Sequence, residues 1–378
     1  MWSFFTARTT RRQVTIMPVI LFIVIMVLLL GLPLAGAGLY GLDLSRYLEF
    51  PPVTSYLDQA GFSWPVFVFL SLLIAACLFP FVFQAVRAAP LASAAKSRKE
   101  AFPWWGRAGL VLGLAAWCLA WTRFSWFAFA QQFTYPFIWF GYILVVNAWT
   151  RRRTGNCLLT RSPLTFLSLF ALSAVFWWFF EYLNRFVQNW YYVGVEGFSP
   201  LEYTASATLS FSTVLPAVLG TRELLSSTGW FQSVFRGWWA VDPGRPRLLA
   251  GAALGLSCLG LAGIGIYPDY LFPLLWVSPL IILVALLTLF GRKHVLRPIR
   301  HGDWSGFMLS ACAALICGFF WEMWNFYSLA KWEYSIPFVD RFHVFAMPIL
   351  GYAGYLPFGL ECAQVAQTFT TGGMTDKS

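Results

Sequence analysis

Two stretches of this chain set the same polar groups at the same spacing. Residues 179–192 read FFEYLNRFVQNWYY and residues 320–334 read FWEMWNFYSLAKWEY. Each places a carboxyl three residues before a carboxamide, Glu181 before Asn184 and Glu322 before Asn325, with aromatic residues downstream. On a helix that spacing brings both groups to one face. Such a set suits three kinds of chemistry. It can hold a small solute, ion or lipid. A carboxylic acid beside Trp and Tyr rings can protonate an alkene while the rings stabilise the cation. The same groups can also satisfy backbone N–H groups where a helix gives way to irregular chain inside a membrane. Glu181 has a further option, an ion pair with Arg185 one turn on; Phe326 stands at the corresponding place in the second stretch.

Two further groups join the candidates. Glu361, in GYLPFGLECAQ, is expected deep along the last apolar run, with Gly220 as its rough counterpart. His343 is expected to begin that run, with Glu202 at a similar place earlier, and histidine titrates near neutral pH. The candidate ligand-binding residues are thus Glu181, Asn184, Glu322, Asn325, His343 and Glu361. Pro216 and Pro357 are expected inside helices, where each would kink the helix and free a carbonyl, on Ser212 and Ala353, for a polar group.

Composition fixes what must position these residues. The chain is 59% hydrophobic and 11% charged, against about 25% charged in soluble domains. It is expected to be an all-α, polytopic integral membrane protein in a lipid bilayer. Its 20 Trp exceed what two interfacial belts need, so some rings should line the interior. The net charge of +10 comes from short basic loops, so a nucleic-acid partner is not expected. The seven Cys occur singly and only three His are present, which argues against a disulfide framework, a zinc site or a bis-His haem. No metal or cofactor is expected. The absence of a Gly-rich phosphate loop, HExxH, GxSxG and an Asp-rich diphosphate motif argues against an ATPase, a zinc protease and a typical prenyltransferase.

Apolar windows of spanning length fall near 15–40, 63–87, 107–123, 134–150, 163–184, 203–219, 248–267, 270–291, 305–328 and 343–369. The first resembles a signal peptide, but its apolar stretch of roughly 20 residues suits an uncleaved helix. With the N-terminus cytoplasmic, ten spans leave 21 of the 26 Lys and Arg inside and only Arg46, Arg123, Arg185, Lys331 and Arg341 outside. This bias supports a multi-pass protein of the plasma (inner) membrane with both termini cytoplasmic.

The order of motifs also repeats. YPFIWFGYILV (135–145) is echoed by FPLLWVSPLII (272–282), and the Glu–Asn stretches follow in turn. Trp190 matches Trp332 and Tyr192 matches Tyr334 after a one-residue insertion, and Leu215-Pro216 matches Leu356-Pro357. We expect an N-terminal two-helix hairpin with a basic loop (1–104), a first four-helix repeat (105–225), a linker (226–246) able to form a short amphipathic surface helix, a second four-helix repeat (247–369) and a tail (370–378). An even number of spans per repeat inserts both the same way up, about an axis along the membrane normal. Both Glu–Asn pairs then lie near the extracytoplasmic side. Three functions fit: binding or transport of a small hydrophobic or ionic ligand, a membrane enzyme acting on a lipid or isoprenoid, or a structural subunit of a membrane complex.

Overall fold

The computed structural model describes residues 2–52, 54–88 and 100–370, with side chains from residue 19 onward. The chain is mostly helical. Its helices are α1 (Trp2–Leu39), α2 (Ser45–Leu48), α3 (Trp64–Ala88), α4 (Trp104–Trp121), α5 (Tyr135–Thr154), α6 (Leu158–Arg161), α7 (Pro163–Val187), α8 (Pro200–Phe211), α9 (Val214–Ser226), α10 (Trp230–Phe235), α11 (Pro246–Gly263), α12 (Pro268–Leu271), α13 (Pro273–Leu289), α14 (Ser305–Phe326) and α15 (Tyr355–Phe369). Among the described residues, five helices contain segments long and apolar enough to cross a membrane: Val19–Leu39 of α1, and α3, α7, α11 and α14. A chain with these segments is a membrane protein. The apolar helix α13 is shorter, at 17 residues.

The core runs along α5, α7, α9, α13, α14 and α15, with Leu21, Ile25 and Leu29 of α1 packed on it. Helix α3 buries no residue. Its outer faces carry Phe69, Leu72, Phe79 and Phe83, as a lipid-facing helix requires. The two N-terminal helices lie on different parts of the body: α1 against α11 and α7, α3 against α10 and the 3-10 turn at Ile349–Gly354. Helices α4 and α5 approach closely through Gly113 and Gly141, where a Cβ on Gly141 would stand 2.6 Å from Gly113 Cα. Small residues permit this kind of packing between membrane helices.

Among the described residues, four short strands complete the fold. β1 (Trp190–Val193) pairs antiparallel with β2 (Lys331–Tyr334), Trp190 opposite Tyr334 and Tyr192 opposite Trp332. β3 (His343–Val344) pairs with β4 (Met347–Pro348). These strands were not part of the all-α expectation.

Three expectations about the helices need correction. The segment 343–369 is not one helix: a hairpin and the 3-10 turn precede α15. Phe342 and Phe345 hold positive φ (57° each), which no helix accommodates. The segment 203–219 is broken between α8 and α9. There Ser210, Ser212 and Thr213 turn their hydroxyls back onto the carbonyls of Ser206, Leu209 and Ser210, and Pro216 has no N–H to continue the ladder. Pro216 and Pro357 are accordingly the third residues of α9 and α15. In a first turn a missing N–H costs nothing, so neither proline kinks a continuous helix.

Ser173 bridges the α8–α9 break, donating to Phe211 O (2.6 Å) and accepting from Leu215 N–H (3.0 Å). Ser173→Ala is expected to cost about 1–3 kcal/mol by orphaning these buried groups, read as a lower unfolding midpoint in detergent. A midpoint equal to wild type would show that the break needs no bridge.

The linker does form a short helix, α10. Its Phe231, Val234 and Phe235 turn inward onto Leu309 rather than outward to lipid.

Candidate functional site

Helix α7 ends where Gln188 adopts a left-handed conformation, and Asn184 secures the exit. Its Oδ1 accepts from Asn189 N–H (2.9 Å) and Trp190 N–H (3.4 Å), and its Nδ2 donates to Trp190 O (2.8 Å). Asn325 makes the matching two contacts with Trp332 at the end of α14: Oδ1 accepts from Trp332 N–H (2.9 Å), and Nδ2 donates to Trp332 O (2.7 Å). A fully buried carboxamide that donates and accepts in this way replaces the water a helix end would otherwise use. The two carboxamides thereby pin the strands β1 and β2.

The glutamates have a different job. Glu181 Oε1 accepts from Trp177 Nε1 (3.0 Å), Trp190 Nε1 (3.1 Å) and Tyr192 OH (2.6 Å). Glu322 Oε1 accepts from Tyr334 OH (2.7 Å) and Tyr355 OH (2.7 Å), and Trp332 Nε1 donates to the Tyr334 hydroxyl (2.8 Å). Oε2 of each glutamate is buried without a partner. Burial, and next the adjacent glutamate, push the Tyr192 and Tyr334 hydroxyls well above the usual phenol range, so both remain donors.

One difference separates the two sets, and it is compensated. Glu181 takes an indole from Trp177, four residues earlier on its own helix. Four residues before Glu322 stands Gly318, where a Cβ would lie 2.3 Å from the Tyr355 ring. The ring fills the space that an indole fills beside Glu181, and it brings its own donor from α15.

These donors form the walls of a cavity of about 130 Å³. Trp177, Trp190, Tyr192, Trp276, Trp321 and Trp332 face it, together with Tyr334 and Tyr355. Trp276 of α13 packs on Phe180 (5.4 Å between centroids), as Trp139 of α5 packs on Trp321 (5.2 Å). Helix α8 closes one side with Tyr203, Ser206, Ala207 and Ser210. These positions recur at three- and four-residue spacing and therefore share a face. The Tyr203 hydroxyl is buried and unpartnered. At the rim Lys331 pairs with Glu333 (2.8 Å), which holds that carboxyl below its usual range. Neither Glu181 nor Glu322 lines the cavity; both lie behind the rings that do.

The other candidates lie elsewhere. His343 is on the exposed hairpin, where its Nε2 meets Asp340 Oδ1 at 2.8 Å; it does not begin a helix. Glu202 caps α8 with Ser199. Arg185 donates to Tyr47 O (2.6 Å) and lies over the Tyr182 ring, so it forms no ion pair with Glu181. Glu361 is buried in α15 beside a second, smaller cavity. Tyr355, Tyr203, Ser206 and Ser210 were not singled out from the sequence. Trp276 was marked only as part of the repeated Pro-x-x-Trp pattern. Comparison with protein families, curated proteins and solved structures finds no match to this chain.

Proposed function

We propose that the chain crosses the membrane ten times, with both termini cytoplasmic. It is built from two parallel four-helix repeats (105–225 and 247–369) behind an N-terminal pair of helices, and it binds a small, largely apolar ligand in the aromatic cavity between them. The observation that carries this reading is that one cavity takes matching residues from both stretches, Trp190 with Trp332 and Tyr192 with Tyr334. The strand register supports it. Pairing Trp190 with Tyr334 and Tyr192 with Trp332 is what a two-fold axis between Tyr191 and Glu333 produces, because residue i then meets j' as j meets i'. By the expected topology, this cavity lies towards the extracytoplasmic side.

In this reading Asn184 and Asn325 hold the strands, and Glu181 and Glu322 fix the orientation of the rings. The ligand meets aromatic faces, with Gln132, Tyr203, Ser206 and Ser210 as its few polar contacts. An apolar pocket with a small number of placed polar groups is the usual form of a small-molecule site. Acid catalysis is less well supported, because a general acid must come within hydrogen-bond reach of its substrate and both carboxyls lie behind the cavity wall. Binding is the step that a carrier and a receptor share.

The test is native mass spectrometry of the protein released from its membrane, comparing wild type with Ala207→Trp, which fills the cavity from α8. Wild type should carry a small molecule that the variant lacks, while the variant still unfolds in one cooperative transition. The same bound species in both proteins, or none in wild type, would reject the reading.

A further inference from the structure

Glu361 stands apart from the other buried acids. It is 2% exposed, makes no hydrogen bond or ion pair among the described residues, and its Oε2 is sealed from solvent. It lines a cavity of about 50 Å³ between α1, α7, α13 and α15. Among the described residues, all the other lining side chains are hydrocarbon, aromatic or thioether, among them Phe22, Met26, Phe179 and Leu283. An unpartnered polar group in such surroundings costs several kcal/mol. The fold does not demand it: the corresponding place on α9 is Gly220. The cavity also reaches the outer surface of the helices, since Val175 on its rim is 45% exposed. That surface faces lipid.

We infer that this cavity is a second binding site, open to the membrane, for a single-chain amphiphile whose head donates a hydrogen bond, an aliphatic alcohol or amine. The chain occupies the aromatic and aliphatic walls, and the head supplies Glu361 with the partner the protein withholds. Such a molecule reaches the site by diffusing in the bilayer, so the site needs no aqueous path. The inference is independent of the outer cavity, which is bounded by other residues.

The probe is dicyclohexylcarbodiimide, an apolar reagent that dissolves in lipid. Its central carbon accepts a carboxyl oxygen while a nitrogen takes up the acid proton, so the adduct forms by addition with no leaving group. The full-length protein is treated in vesicles and the labelled peptide is identified by mass spectrometry. Label is expected on Glu361 in wild type and at no residue of that peptide in Glu361→Gln. Dodecylamine or dodecanol should slow labelling about tenfold at roughly nine-tenths occupancy of one site, and dodecane should not.

Absence of label on folded wild type would mean that the cavity is closed to the membrane, overturning the inference. Equal slowing by dodecane would mean that the head is not recognised, and slowing by none of the three would mean that no such amphiphile binds; either result also overturns it. A second variant guards against misfolding. Glu361→Leu removes an unsatisfied buried group and should unfold at a higher temperature than wild type, while losing the stabilisation that dodecylamine or dodecanol gives wild type. Retention of that stabilisation would place the amphiphile elsewhere.

Discussion

Glu181→Ala is expected to lower the stability of the protein by about 3 kcal/mol, because it strands three donors, one buried and two half-buried, at about 1–3 kcal/mol for each buried group. Those donors are the indoles of Trp177 and Trp190 and the hydroxyl of Tyr192. Glu181→Gln should cost within about 1 kcal/mol, since its amide oxygen can replace Oε1. The amide nitrogen then sits where Oε2 already lacks a partner. Glu322→Ala should cost less than Glu181→Ala, at least about 2 kcal/mol, because only Tyr334 and Tyr355 donate to it directly. Denaturant or thermal unfolding in detergent measures all three. The order Glu181→Ala, then Glu322→Ala, then Glu181→Gln is the discriminating result. A glutamine variant as damaged as the alanine variant would mean that the site needs the negative charge, and that the carboxyl does more than accept from its ring donors.

How much of this could be read from the residues depends on the range over which each feature is encoded. The membrane class follows from composition, which needs no contacts at all. The Glu–Asn pairs were legible because the chain writes them twice, and their place at helix ends follows from their position in the apolar runs, whereas their burial is seen only in the structure. The pairing of Trp190 with Tyr334 was not legible. Four-residue strands carry too little alternation to be seen, and nothing local links residues so far apart in sequence. The break between α8 and α9 was hidden for another reason: a run of Ser and Thr is tolerated in a helix until its hydroxyls find nearer carbonyls. His343 was misplaced because apolar content alone extended the last helix through a hairpin that backbone geometry forbids to be helical. Tyr355 could not be identified as a donor to Glu322 until Gly318 was known to lie under its ring.

That exchange supports the second large effect. Gly318→Trp alone should be severely destabilising, by about 3 kcal/mol or more, because it overpacks a filled site. A Cβ there already lies 2.3 Å from the Tyr355 ring. Tyr355→Val alone removes a buried ring and a donor to Glu322, with a loss of about 3–5 kcal/mol on the scale of large aromatic truncations. The double variant Gly318→Trp/Tyr355→Val puts beside Glu322 an indole like the one Trp177 gives Glu181, with valine where the match of Leu215-Pro216 to Leu356-Pro357 sets Val214 opposite Tyr355. The indole restores the donor, and the valine yields the space. The two changes should therefore interact favourably by about 2 kcal/mol or more, at the upper end of what touching residues show in double-mutant cycles. The cycle reads more than packing. If the two stretches descend from one pattern, each can adopt the other's solution with its glutamate still bound on Oε1. If the losses simply add, the resemblance of the two glutamate sites ends at their sequence spacing, and the paired repeat is the wrong frame for the cavity between them.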